Sequence, residues 1–148
     1  MRIKTIGKFQ DKDDLGYLVI PNMSAKNHIE FKGVLNAIVN TYRHYLGKDL
    51  FAVYVRGSLV RNKFIRYFSD VDTFALLQTP NIAWVEPAWR HHESDIITKL
   101  YPFIMDIDFK LNSYDENFSN SYPHLSAIVK TQSICIYGFD IATFLPPL

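Results

Sequence analysis

The sequence predicts a mixed β-sheet with helices packed on it, an α/β or α+β domain formed as one unit over residues 1–148. Three observations predict it. Apolar residues recur at helical spacing from Phe31 to Leu46, the run DLFAVYV is apolar from Leu50 to Val55, and FIMDIDFKL alternates apolar and polar over Phe103 to Leu111.

The elements follow in order. GYLVIP (Gly16 to Pro21) reads as a short strand ended by proline, and Ser24 is placed to cap the next helix. That helix carries Phe31, Val34, Leu35, Ile38, Tyr42, Tyr45 and Leu46 on its apolar side, with Gly47 as its C′ residue. DLFAVYV (Asp49 to Val55) is a buried strand that runs into Gly57-Ser58, and DVDTFALL (Asp70 to Leu77) is a second, stopped by Thr79-Pro80. A helix is expected from about Val85 to Leu100, with Val85, Trp89, His92, Ile96 and Leu100 on one stripe and Pro87 in its first turn. In FIMDIDFKL, Phe103, Met105, Ile107 and Phe109 share one face, and Ile104, Asp106, Asp108 and Lys110 share the other. Ser113 to Ser121 reads as a polar loop, Pro123 to Lys130 as a short helix, and SICIYG as the last strand.

The 148 residues suffice for one core, and with 48% hydrophobic and 15% aromatic residues the composition is globular. A formal net charge of +1 gives no global field for nucleic acid or anionic membrane, so a polyanion site must be a local patch. The single cysteine, Cys135, has no disulfide mate within the chain and reads as a buried thiol. No apolar run reaches the length of a membrane span, and the N-terminus lacks the apolar core of a secretory signal. The expected setting is the cytoplasm, with no membrane partner.

The chemistry lies in YVRGSLVRNKFIRYFSDVDTFALL, Tyr54 to Leu77. An apolar strand stops at Gly57-Ser58, turns basic and bulky, then resumes around Asp70 and Asp72. In a strand, residues two apart share a face with Cα atoms about 6.5–7 Å apart. Asp70 and Asp72 are so placed, and Asp108 sits on a strand that could lie beside them. Clustered carboxylates raise one another's pKa unless a cation neutralises them, and Mg²⁺ suits oxygen ligands of this kind. Glycine lets backbone approach a phosphate, and the Ser58 hydroxyl and free N–H groups of a turn can bind its oxygens. No Gly-x-Ser-x-Gly elbow surrounds Ser58 and no P-loop glycine pattern is present.

The order of a strand ending in Gly-Ser, a short basic helix, Asp-x-Asp on the next strand and a third aspartate on a later one resembles the nucleotidyltransferase superfamily. RGSLVR (Arg56 to Arg61) is similar to its Gly-Ser-x-x-Arg segment, SDVDTFAL to its Ser-Asp-hydrophobic-Asp strand, and FIMDIDFKL to its third strand. SICIYGFDI resembles the late strand ending in Tyr-Gly-x-Asp of antibiotic adenylyltransferase-like members. Asn62 stands where the family often has glycine, and Phe64, Ile65, Tyr67 and Phe68 fill a linker that is often polar.

The resemblance implies a nucleotidyltransferase fold and transfer of a nucleoside monophosphate from a nucleoside triphosphate to an acceptor hydroxyl, with two Mg²⁺ ions. Asp70, Asp72 and Asp108 are the implied catalytic and metal residues, and Gly57, Ser58 and Arg61 the implied nucleotide-binding ones. The acceptor is open: a small hydroxyl compound, a protein hydroxyl or an RNA end. The alternative is a non-catalytic or partner-bound regulatory module of the same fold, antitoxin-like, with a protein partner.

Several residues keep two readings. Strand alternation does not choose between Asp106 and Asp108, and the resemblance selects Asp108. Arg61 is either a fork of donors over the triphosphate or a solvated arginine. Lys110 either binds phosphate or offsets the carboxylates. Arg56 is expected as a structural ion-pair partner. His91 and His92 point about 100° apart on a helix, unlike a zinc pair, and His92 is expected in the core.

Overall fold

The structure, a computed structural model, describes residues 25–145. The expected strand GYLVIP and the Ser24 cap lie outside the described residues.

Helix α1 spans Ala25–Leu46 and buries Phe31, Val34, Leu35, Ile38 and Tyr42, the stripe its spacing dictates. It ends at Gly47, whose φ of 53° is the left-handed conformation of a C′ glycine. Strand β1 follows at Leu50–Arg56, then β2 at Val71–Leu77. The two pair antiparallel, with Tyr54 opposite Phe74 and Arg56 opposite Asp72. Strand β3 (Ile107–Asp108) and strand β4 (Leu111–Ser113) both run parallel to β2, one after the other along it. Strand β5 (Ser133–Gly138) pairs antiparallel with the other side of β1. The mixed sheet therefore runs β3-β2-β1-β5, and the α+β class expected from the sequence is the one found.

Each sheet face has its own core. Val53, Val55, Val71, Ala75, Ile107 and Phe109 pack under α1, together with Ile97 of helix α2 (Arg90–Leu100). Ala52, Tyr54, Phe74 and Leu76 pack on the opposite face with Phe118 of α3 (Phe118–Ser121) and Leu125, Ile128 and Val129 of α4 (Pro123–Thr131). Asp72 alternates with Phe74 and shares this second face, just where its helical cover stops.

Four expectations are corrected. The helix expected from Val85 begins only at Arg90, because Val85 forms an antiparallel bridge with Leu111 and Pro87 holds Glu86 out of helical geometry. Its apolar stripe is also reversed. Val85, Ile96 and Leu100 are 46%, 44% and 70% exposed and His92 is exposed, whereas Arg90, Ser94 and Ile97 are buried. FIMDIDFKL is not one strand. Its first residues turn away, with the Phe103 carbonyl accepting from Tyr67 N–H, and the ladder is interrupted at Phe109-Lys110. The alternation holds only from Asp106 onward, since Ile104 is buried and Met105 exposed. Last, Ser113 to Ser121 contains β4's final residue and the short helix α3, pinned by the buried Phe118.

Candidate active site

Gly57 ends β1 with φ 84°, and the chain then coils through turns where the sequence predicts a short helix. Arg61 N–H donates to Gly57 O at 3.2 Å, Lys63 N–H to Ser58 O at 2.8 Å, and Leu59 is buried beneath them. One apolar anchor thus holds a polar turn at the strand end. A Cβ on Gly57 would lie 2.6 Å from Asp72 Oδ2, so only glycine lets this turn sit against that carboxylate.

Asp72, in β2, is in register with Asp108 of β3, and Asp70 immediately precedes β2. The structure thus brings Gly57, Asp72 and Asp108 to one strand mouth, with Ser58 and Asp70 next in the chain. The neighbouring Ser69 does structural work: its hydroxyl accepts from Ile65 N–H at 2.9 Å and its carbonyl from Met105 N–H. Burial raises the Asp72 carboxyl above the ordinary carboxylate value, Asp108 adds to the rise, and Arg56 opposes it. Burial also raises Asp70, Asp106 and Asp108 repel it, and Arg90 opposes. Both are carboxylates that would ionise more readily with a cation beside them.

Asp106 and Asp108 are in a different situation, set by residues the sequence reading passed over. Arg90, in the first turn of α2, is buried. Its Nη2 meets Asp106 Oδ2 at 2.6 Å, its Nε meets Asp108 Oδ1 at 3.1 Å and its Nη1 meets Glu86 Oε1 at 3.1 Å. One turn on, Ser94 Oγ donates to Asp106 Oδ1 at 2.6 Å and accepts from Ile107 N–H at 2.9 Å. Lys110 Nζ lies 3.3 Å from Glu86 and 3.8 Å from Asp108 Oδ1, so Lys110 offsets carboxylates. The signal available in the sequence was the i, i+4 spacing of Arg90 and Ser94, which an apolar-stripe count ignores.

Behind β2, the buried Tyr42 hydroxyl bonds Thr73 Oγ1 at 2.7 Å and accepts from Lys110 N–H at 3.2 Å, and Thr73 Oγ1 donates to Asp108 O at 2.9 Å. These bonds bridge the gap between β3 and β4 and fix Asp108 in place.

Other candidates fall elsewhere. Arg61 is exposed on the turn. Arg56 faces Asp72 across the ladder, but its guanidinium lies over the Trp84 ring at 5.6 Å, in place of the expected ion pair. Beside Arg56 a cavity of about 430 Å³ opens, walled by Trp84, Tyr122, His124 and Leu125. Asp140 of the Tyr-Gly-x-Asp segment is structural, accepting from Tyr54 OH at 3.1 Å and Ala142 N–H at 3.0 Å. Cys135 is a buried thiol, as expected.

Among the described residues no group of three His, Cys, Asp or Glu side chains is set to hold a metal ion by itself. The donors that fit one are Asp70 and Asp72, whose raised carboxyls have no cation of the described residues in contact, while the third carboxylate is engaged by Arg90. Two carboxylates suit Mg²⁺ when substrate phosphate oxygens and waters complete its shell.

No protein-family model and no curated protein matches the sequence. Similar solved structures include a toxin–antitoxin with AMP-PNP, at 19% identity and TM-score 0.46, covering 70% of this chain and 73% of that one. A tri-AMPylated Shewanella oneidensis HEPN toxin in complex with MNT antitoxin matches at 15% identity and TM-score 0.40, covering 76% and 72%. A spectinomycin adenyltransferase from Enterococcus faecialis with ATP and spectinomycin matches at 17% identity and TM-score 0.41; 76% of this chain spans 58% of that one. At such identities and TM-scores the likeness gives this chain neither substrate nor partner. Among the described residues no helix is long and apolar enough to cross a membrane.

Proposed function

We propose that the chain is a nucleotidyltransferase, moving a nucleoside monophosphate from a nucleoside triphosphate to an acceptor hydroxyl. The observation that carries the reading is the contact of Gly57 with Asp72: a glycine turn at the strand end abuts a carboxyl that burial and Asp108 hold above the ordinary carboxylate value. Asp70 and Asp72 would hold Mg²⁺, which supplies Lewis-acid charge to the phosphate oxygens. The turn N–H groups and the Ser58 hydroxyl bind the β and γ phosphates, and Arg61 is one turn away to supply further donors.

In the reaction the acceptor oxygen bonds to the α-phosphorus, the bond from that phosphorus to the bridging oxygen breaks, and pyrophosphate leaves with the electron pair. Asp108 is the group to take the acceptor's proton. Arg90 and Lys110 both approach its Oδ1, which leaves Oδ2 for that hydrogen bond. The cavity beside Arg56 gives room, against Trp84 and Tyr122, for the part of a substrate beyond the reacting phosphate. Labelled triphosphates offered with Mg²⁺ and a panel of small hydroxyl, protein and RNA acceptors test the reading. Label transferred by the wild type and not by Asp70→Asn supports it; no transfer to any acceptor and no nucleotide binding would overturn it.

A second reading, a partner-bound regulatory module in the cytoplasm, is favoured by one observation. Ile65, Tyr67 and Phe68, in the loop between Gly57 and Asp70, are 60%, 63% and 78% exposed. A co-purified protein released by charge substitutions at Tyr67 and Phe68, with nucleotide transfer absent, would favour that module over the enzyme.

A further inference from the structure

We propose that Arg90 is a positioning residue that stands in for a second metal ion, so that the site binds one divalent cation, on Asp70 and Asp72. The inference rests on the transferase reading and specifies how its site is charged.

Arg90 is 9% exposed and spends three nitrogens on three different carboxylates, at 2.6 Å, 3.1 Å and 3.1 Å. A guanidinium is not deprotonated in proteins, so this charge is permanent. A metal bound to Asp108 would need its oxygen at about 2.0–2.1 Å, next to a guanidinium already in contact with that carboxylate. The two cations would repel at close range in a partly buried site.

Arg90 also has no easy way to step aside. Its grip on Asp106 is reinforced by Ser94, which ties the same carboxylate to the backbone of β3, and both residues stand on consecutive turns of α2. Withdrawing the guanidinium from Asp108 would strip Asp106 and Glu86 of it as well. Lys110 Nζ supplies a second positive charge near Asp108. Among the described residues Asp70 and Asp72 have no such partner at contact distance. Arg56, which faces Asp72, is turned onto Trp84. The strand mouth therefore divides into a half neutralised from within and a half that needs a cation from outside.

The test counts Mn²⁺ bound to the full chain by equilibrium dialysis with a non-hydrolysable ATP analogue. The expected result is one Mn²⁺ per chain for the wild type. Asp108→Asn, whose Oδ1 still accepts from Arg90 Nε, keeps the count and holds the dissociation constant within about twofold. Arg90→Gln frees Asp108 and raises the count toward two. Arg90→Lys, which keeps the charge and loses the fork, stays at one. Should Arg90→Gln fail to fold, Asp108→Asn still decides: a lost ion or an affinity drop of about tenfold or more overturns the inference. Two Mn²⁺ on the wild type would overturn it alone. No nucleotide-dependent Mn²⁺ on any form would overturn the transferase reading and this inference with it.

Discussion

Four aspartates stand at the mouth of β2 and β3, and the two strands treat their pairs differently. Asp106 and Asp108 are met by Arg90, Ser94 and Lys110 at hydrogen-bond or ion-pair distance. Among the described residues no cation meets Asp70 or Asp72 at that range, and burial and repulsion hold both above the ordinary carboxylate value. The residue type is the same and the strands are neighbours. What separates the two pairs is whether the described residues supply a counter-charge at contact range.

Removing an unpartnered carboxylate should hurt chemistry and spare the fold. Asp70→Asn or Asp72→Asn is expected to lower transfer by about a thousandfold or more, roughly 4 kcal/mol of transition-state stabilisation. The metal-free melting temperature should hold or rise. Full activity in either variant would erase the distinction between the pairs.

Removing the internal counter-charge should do the reverse. Arg90→Ala leaves Asp106, Asp108 and Glu86 without their shared cation, and loss of one partner from a buried pair costs about 3–5 kcal/mol. The lower end is expected, because Asp106 and Asp108 side chains are 37% and 27% exposed and solvent screens them. Urea unfolding measures this, and a loss below about 1 kcal/mol would place Arg90 with ordinary surface ion pairs.

Gly57→Ala tests the join between the turn that follows β1 and Asp72. A left-handed residue with a side chain costs about 1–3 kcal/mol, and its Cβ meets Asp72 Oδ2. Nucleotide affinity should fall more than stability, as read by calorimetry beside a thermal melt.

Within the β3 pair, Asp108→Asn is expected to remove transfer while leaving Mg-nucleotide binding in place. Asp106→Asn should lower activity only modestly, since Asp106 is held by Arg90 and Ser94 as a brace. The reverse pattern in paired rate and binding measurements would transfer the proton-accepting role to Asp106.

The smallest effect concerns pH. Because the folded state raises Asp70 and Asp72, it keeps their protons to higher pH than the unfolded chain does. Without divalent cations, their contribution to stability is then fully present below the ordinary carboxylate value and is lost as pH rises through the raised ones. Millimolar Mg²⁺ should flatten that loss. An apo pH profile that keeps the same slope in Asp70→Asn as in the wild type would contradict the repulsion.

The sequence displayed Gly57-Ser58, Asp70 and Asp72 plainly, because a glycine turn and charges at the end of an apolar run break a local pattern. Alternation along FIMDIDFKL put Asp106 and Asp108 on one face without choosing between them; the resemblance selected Asp108, and only the folded sheet sets its register beside Asp72. Arg90 stayed hidden for the opposite reason. Its helix buries a polar face, and counting apolar residues selected Val85, Ile96 and Leu100, which face solvent. The break at Phe109-Lys110 was equally invisible, since Tyr42, the residue that bridges it, lies 68 positions earlier. Helix α3 has a single buried apolar residue, Phe118, in a polar stretch, and a pattern needs more than one.

The Tyr42 hydroxyl has a consequence for motion. It is the fastener that joins the rear helix to the front strands: Tyr42 is fully buried and its hydroxyl accepts from Lys110 N–H. With phenylalanine at position 42 that amide would be left unmet, and the segment carrying Asp108 would open more often than the rest of the sheet. Hydrogen exchange would register this as faster amides at Lys110 and its neighbours, against unchanged protection in β1 and β5. The strand mouth that holds Asp72 and Asp108 would thus be loosened from the far side of the sheet.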